Sequence, residues 1–257
     1  MTATTTTIVS TRNLVVDFDG FKAIQDLGFN IDDGELRFLI GPNGAGKTTL
    51  LDAICGRVRP AAGKVLFHDK VDLAKMQEHK IAQMGIGRKF QAPSVFGSLS
   101  VLDNLRLAAK GARGVLANLR PCRDDEEKLR AGLHTVGLES RAETLAGSLS
   151  HGEKQWLEIG MLLMQQPSLL LLDEPAAGMT DEETHQMGEL LHRLARDEQN
   201  DVRSILVVEH DMEFVRQFAH KVTVMHEGRV LREGTMDEVS NDERVQEVYL
   251  GRRAERV

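Results

Sequence analysis

The chain has 257 residues, 41% of them apolar and 28% charged, a composition that suits one large α/β domain with a smaller lobe rather than a disordered or fibrous chain. Only 4% are aromatic and the formal net charge is −7, which argues against an extended base-stacking surface and against nucleic acid as the main partner. No apolar run approaches the roughly 18 residues needed to cross a bilayer.

The uncharged, threonine-rich start, Met1 to Thr7, lacks the basic residues and apolar core of a signal peptide. Residues 1–11 are expected to be a disordered lead and 12–257 a single domain. Asn13 to Phe18 and Gly28 to Ile31 read as short strands flanking a turn. An aromatic in this stretch could stack on an adenine; Phe18 is the candidate and Phe21 the reserve, against packing within the sheet or turn. Asp32 to Glu35 reads as a turn.

Next comes Gly41-Pro42-Asn43-Gly44-Ala45-Gly46-Lys47-Thr48-Thr49, which fits the G-x-x-x-x-G-K-[ST] phosphate-binding loop. An apolar run, Leu36 to Ile40, feeds into it, and a helix-compatible run, Thr49 to Ile54, follows. Glycines let the backbone turn its N–H groups inward on a triphosphate, and the following helix aims its positive end there. Lys47 is expected to reach the β- and γ-phosphates and the Thr48 hydroxyl to ligate Mg²⁺. ATP and Mg²⁺ are therefore the expected ligands. Cys55, in this helix, is expected to be a small core residue; with Cys122 it forms no metal or redox spacing, and the cytosol is the expected compartment.

Pro60 and Gly63 mark a turn, Lys64 to Phe67 a strand, and Glu78 to Met84 a short helix. Ile86 to Gln91 reads as a strand closed by Ala92-Pro93. Ser100 opens a helix to Lys110 with Asp103 in a capping-box position. Residues 111–125 read as an irregular excursion and Glu126 to Gly137 as helix-compatible. The block at about 92–148 lacks strand signals and is expected to be a helical lobe inserted between two parts of an α/β core, 12–91 and 149–250.

Trp156 to Met164 reads as a buried helix ended by Pro167. The four leucines 169–172 read as a central parallel strand, closed by Asp173-Glu174-Pro175. Asp181 to Arg196 is a helix with an acidic first turn. Ser204 to Val208 is another buried strand, Met212 to Ala219 a helix, and Val222 to His226 with Arg229 to Arg232 a hairpin about Glu227-Gly228. A helical tail, Asp242 to Leu250, closes the chain. A carboxylate ending an apolar strand after a phosphate loop is a second Mg²⁺ anchor, which assigns Asp173. Its neighbour Glu174 can act as general base on the attacking water.

Leu149-Ser150-His151-Gly152-Glu153 resembles the L-S-G-G-Q signature of the ATP-binding cassette (ABC) ATPases, and Gln91 and His210 match that family's glutamine-loop and switch-histidine positions. The resemblance covers nearly the whole chain, with every motif in order. It implies an α/β fold of phosphate-loop NTPase type: a mostly parallel core sheet, an antiparallel β subdomain and an inserted helical lobe. It further implies two such subunits, as homo- or heterodimer, sandwiching two ATP molecules head to tail. Ser150, His151, Gly152 and Glu153 of one would face the γ-phosphate held by Lys47 of the other. Gln91 would touch Mg²⁺ and the attacking water, and His210 would hold the γ-phosphate.

Three departures stand out: His151 for the first signature glycine, Glu153 for glutamine, and Thr180 for the aspartate of the dimer loop, here Ala177 to Thr180. The residues from Ser148 to Gly160 and Glu174 to Glu183 look like cassette subunits of branched-chain amino acid and urea importers. Gly85 to Gln91, Val208 to Arg216 and Val248 to Arg252 look closest to the urea type. The implied protein is an importer ATPase, peripheral on the inner face of the plasma membrane. Its partners would be membrane-spanning permease subunits, contacted by Ala92 to Gly97, and indirectly a periplasmic solute-binding protein. Alternatives are a branched-chain amino acid importer, a soluble cassette for chromosome maintenance or translation, and a binding-only regulatory cassette. The single cassette without sustained heptads and the presence of Glu174 argue against the last two.

Overall fold

The computed structural model describes residues 6–89, 94–111, 123–196, 202 and 204–254. Gln91, Ala92, Pro93 and Cys122 lie outside them. Two sheets carry the fold. The first is antiparallel, with strand order β2-β1-β4-β5: β1 (Thr7–Phe18), β2 (Phe21–Asp32), β4 (Ala62–Phe67) and β5 (Val71–Asp72). The second has order β10-β9-β3-β8-β7-β6. Its members are β3 (Leu36–Ile40), β6 (Ile86–Lys89), β7 (Leu169–Asp173), β8 (Ser204–Val208), β9 (Lys221–His226) and β10 (Arg229–Gly234). All neighbours there pair in parallel except the β9–β10 hairpin.

The first strand pair is longer than the sequence suggests. β1 begins at Thr7 rather than Asn13, so residues 7–11 are strand and not part of a disordered lead. β2 begins at Phe21, where a turn segment was expected. Asp19 and Gly20 form the two-residue connection, both with positive φ (50° and 95°), as a primed hairpin turn requires. Bulges conceal these strands: Asn13 and Asp26 both adopt positive φ, the register slips around them, and the Asn13 amide donates to the Asp26 carboxylate at 2.8 Å. A bulge breaks the period-2 alternation by which strands are read.

β3, β7 and β8 are buried along their whole length, as expected of parallel strands covered on both faces. β3 is not wholly apolar, however. Arg37, fully buried, pairs with Glu35 at 2.8 Å and Glu233 at 2.5 Å, tying β3 to the outer hairpin. One face of the sheet (Leu39, Leu169, Leu171, Leu206, Val208) packs with α1 (Lys47–Ile54), the antiparallel sheet and buried Cys55. The other face (Phe38, Leu170, Leu172, Val207) packs with α5 (His151–Leu163), α6 (Asp181–Arg196) and α7 (Met212–Phe218).

Between β6 and α5 lie α3 (Val101–Gly111) and α4 (Arg123–Thr135). Their apolar residues Val101, Leu105, Leu129 and Leu133 join the second core through Leu157 and Ile159 of α5. Residues 123–125 belong to α4, not to an irregular excursion. Apart from the Ser100–Leu145 bridge, no β-pairing occurs among the described residues of 94–148. α2 (Glu78–Gln83), α8 (Met236–Ser240) and α9 (Glu243–Ala254) complete the chain. α8 is announced by a Thr235–Glu238 capping box that the sequence reading passed over.

Candidate active site

The candidate residues lie at the carboxyl ends of parallel strands, where ligands of α/β sheets bind. The phosphate loop follows β3, Asp173 ends β7, and Glu209 and His210 follow β8. Gly41 has φ 151°, and a Cβ there would collide with the Met225 carbonyl of β9. Gly46 has φ 98°, and a Cβ would meet the Ala23 carbonyl at 2.6 Å. Each glycine is thus required by left-handed backbone and close approach together. Helix α1 starts at Lys47, two residues earlier than the periodicity suggests. Its first turn therefore holds Lys47, Thr48 and Thr49, with N–H groups that have no helical acceptor. The Lys47 ammonium donates to the carbonyls of Gly41 at 2.6 Å and Pro42 at 3.1 Å, which holds it across the loop.

Asp173 is buried at the end of β7. The Thr48 side chain faces its carboxylate, and Arg88 stands 3.8 Å away. Burial pushes the Asp173 carboxyl up, against the Arg88 cation and the neighbouring Thr48 hydroxyl. Its Oδ1 has no hydrogen-bond partner among the described residues. A hydroxyl and a carboxylate with an open oxygen form a hard-oxygen set that fits Mg²⁺. No cluster of three or more His, Cys, Asp or Glu occurs among the described residues.

Glu174 has φ 49°, an uncommon conformation for a non-glycine residue. Its N–H donates to the Val208 carbonyl at 2.9 Å, which fixes it to β8. Its Oε1 lies 3.4 Å from His210 Nδ1, so the structure brings the two together. Glu209, beside them, is buried, and burial pushes its carboxyl up to about 7. Phe18 and Phe21 pair across the β1–β2 turn and are 48% and 66% exposed, so neither is core packing. β2, the strand of Phe21, abuts the phosphate loop through Ala23.

Ser150 caps α5 with a capping box: its hydroxyl accepts from Glu153 N at 3.1 Å, and the Glu153 carboxylate accepts from Ser150 N at 2.8 Å. The helix therefore begins at the signature, five residues before the expected Trp156. Glu153 also binds Arg141 at 3.1 Å, and the Ser150 amide and hydroxyl hold its pKa below the usual carboxylate range, with Arg141 assisting. Replacement of glutamine by glutamate thus strengthens the cap. At Gly152 a Cβ would meet the Glu183 carboxylate at 2.6 Å. Glu183 in turn accepts from the N–H and hydroxyl of Thr180, which makes Thr180 the cap of α6. His151 sits over Gly178 and contacts Gln155 at 3.1 Å, whose amide donates to the Ala177 carbonyl at 2.8 Å.

Sequence reading missed the charges beneath the site: Arg88 bound to Asp52 at 2.6 Å, Lys89 facing Glu158 at 3.8 Å, and Glu209. The available signal was two consecutive cations in a strand otherwise reading as buried, and an acid, Glu158, between Leu157 and Ile159.

Residues 24–177 match the family described as ABC transporter. Residues 229–255 match the family described as branched-chain amino acid ATP-binding cassette transporter. The chain is 32% identical, over 95% of its length and 98% of the relative's, to the high-affinity branched-chain amino acid transport ATP-binding protein LivG of Escherichia coli K12. It is 34% identical to the probable LivG of Archaeoglobus fulgidus, over 95% of both chains. Among solved structures, a nucleotide-free ATP-binding cassette from an ABC transporter superposes with TM-score 0.82 at 28% identity, covering 95% of this chain and 98% of that one. With the phosphate loop, the Thr48–Asp173 pair, the Glu174–His210 pair and a capped signature helix in one fold, the chain belongs to the ABC transporter family and is an ATP-hydrolysing transport ATPase.

Proposed function

We propose that the chain powers the import of urea across the inner membrane, docked peripherally on membrane-spanning permease subunits and paired head to tail with a second ATPase subunit. A periplasmic solute-binding protein would deliver the solute to the permease. No helix among the described residues is long and apolar enough to cross a membrane, which is compatible with peripheral docking. The observation that carries the reading is the convergence of Thr48, Asp173, Glu174 and His210 at the strand ends around the phosphate loop.

In this reading Lys47 and the loop amides neutralise the β- and γ-phosphates, and Thr48, Asp173 and Gln91 hold Mg²⁺. Glu174 accepts the proton of the attacking water, and His210 holds the γ-phosphate. Phe18 stacks on the base. Ser150, His151, Gly152 and Glu153 close the partner's site, the first by its hydroxyl and Gly152 by a first-turn N–H. Such a site works by positioning and charge neutralisation. The exposed Phe96, on a turn pinned by the Asn104 side chain to Phe96 N and O at 2.8 and 3.1 Å, belongs to the segment assigned to permease contact.

The choice of urea rests on the local residues that resemble urea-type cassettes. A branched-chain amino acid solute is the second reading, favoured by the match over 229–255. Overall identity does not choose between solutes. The sulfate/thiosulfate import protein CysA of Pectobacterium atrosepticum is also 32% identical, over 94% of this chain. Uptake of labelled urea and labelled leucine, in cells with and without the gene, separates the readings. Loss of urea uptake alone is expected, loss of leucine uptake alone would move the protein to the second reading, and no change in either would remove both.

A further inference from the structure

β6 is the edge strand of the core sheet, and its last two residues carry cations to opposite faces, as successive strand residues must. Arg88 reaches Asp52 of α1, the phosphate-loop helix. Lys89 reaches Glu158 of α5, the signature helix, with Nζ 3.8 Å from Oε2. Lys89 is 0% and Glu158 6% exposed at the side chain. The distance pairs the charges without a hydrogen bond, and Oε2 has no hydrogen-bond partner among the described residues. The other oxygen, Oε1, accepts from the backbone N–H of Ser94 at 3.3 Å.

Burial pulls the Lys89 pKa down and pushes that of Glu158 up, each opposed by the other's charge. Such a pair is a poor device for stability, because apolar residues of similar size usually do as well. It does achieve connection. One carboxylate holds the residue at which β6 ends and the residue at which the described chain resumes. The four residues between them include Gln91. Glu158 itself lies eight residues along α5 from Ser150, about 12 Å of helix.

The geometry points to Glu158 as a positioning residue for hydrolysis: with Lys89 it forms a buried ionic tether, and through the Ser94 N–H it joins the residues on either side of positions 90–93 to the signature helix. The inference rests on the reading that Gln91 touches the nucleotide's metal and water. Glu158 itself touches neither, so its effect belongs in turnover and not in ATP binding.

The test compares full-length variants by steady-state hydrolysis, affinity for a fluorescent ATP analogue and thermal midpoint. Lys89→Met with Glu158→Leu keeps volume and removes the tether. We expect it to melt no lower than wild type, to bind the analogue within about 2-fold, and to lose about 10-fold or more in kcat. Wild-type kcat in that folded double variant would overturn the inference and leave the pair as packing. If the double variant does not fold, Glu158→Gln decides by the same split, since it keeps an acceptor for Ser94 and removes only the charge. A kcat loss at unchanged affinity and midpoint supports the tether, and unchanged kcat removes it.

Gln91→Ala separates the two levels. Full activity there removes the reading of Gln91 and the inference with it. A loss there, beside a fully active double variant, removes the inference alone. A tether that acts through Gln91 also makes the triple variant no slower than Gln91→Ala, because residues acting as a unit do not add. Additive losses would overturn the proposal.

Discussion

Glu174 is held by its backbone rather than by its side chain. Its left-handed φ and its N–H bond to Val208 set the carboxylate beside His210, and strain of this kind persists where neighbours over-determine it. Glu174→Gln keeps size and backbone while removing the base. It should bind ATP as wild type does and lose at least about 100-fold in kcat; near-normal turnover would remove Glu174 from the base role. Glu209 makes a different prediction. Because burial raises its folded pKa to about 7, folding favours the neutral acid. That contribution is complete at pH below the ordinary carboxyl value and is lost as pH rises through about 7. Glu209→Gln abolishes the titration. In metal-free buffer its stability relative to wild type should rise by about 1 kcal/mol between pH 6 and pH 8. Denaturant midpoints at the two pH values measure it, and an unchanged gap would mean that Glu209 is already ionised in the fold at pH 6.

The elements divide by how local their causes are. β7 and the phosphate loop were legible because one covered strand reads as four leucines and one loop needs its own glycines. β1 and β2 were not, because the bulges at Asn13 and Asp26 serve each other across the strand pair and break alternation in both. The charged end of β6 reads as plain strand, since Arg88 and Lys89 are paired inside the fold with Asp52 and Glu158, distant in sequence. The start of α5 was legible only in hindsight: Ser150 and Glu153 form a capping box, but they had been read as a signature. The placement of α6 against α7 depends on Gly188. A Cβ there would collide with the Phe218 ring, which also packs on Phe214 with centroids 5.1 Å apart. Gly188→Ala should therefore cost about 1–3 kcal/mol through overpacking, despite the better helix propensity of alanine. The expected readout is a lower thermal midpoint with kcat intact well below it; an unshifted midpoint would show that α7 can move aside freely.

At the scale of the whole molecule, the phosphate loop and the signature are carried by different parts of the chain: one at the start of α1 below the antiparallel sheet, the other at the start of α5 beside the helical lobe. If each ATP is closed by the signature of a second copy, the two motifs need not be intact in the same chain. Lys47→Ala disables the loop and leaves the signature. Ser150→Arg disables the signature and leaves the loop. Each variant alone then forms only defective sites. In a mixed dimer one site joins both defects, while the other joins an intact loop to an intact signature. Equal mixing makes about half the dimers mixed, each with one good site of two. Recovery should approach about a quarter of wild-type hydrolysis if sites act independently, as expected for an isologous two-fold contact in which the loop of each copy meets the signature of the other. A site completed within one chain predicts no recovery at any ratio. The mixing curve, read as hydrolysis rate against mole fraction at constant total protein, therefore decides where the γ-phosphate is closed without any structure of the complex.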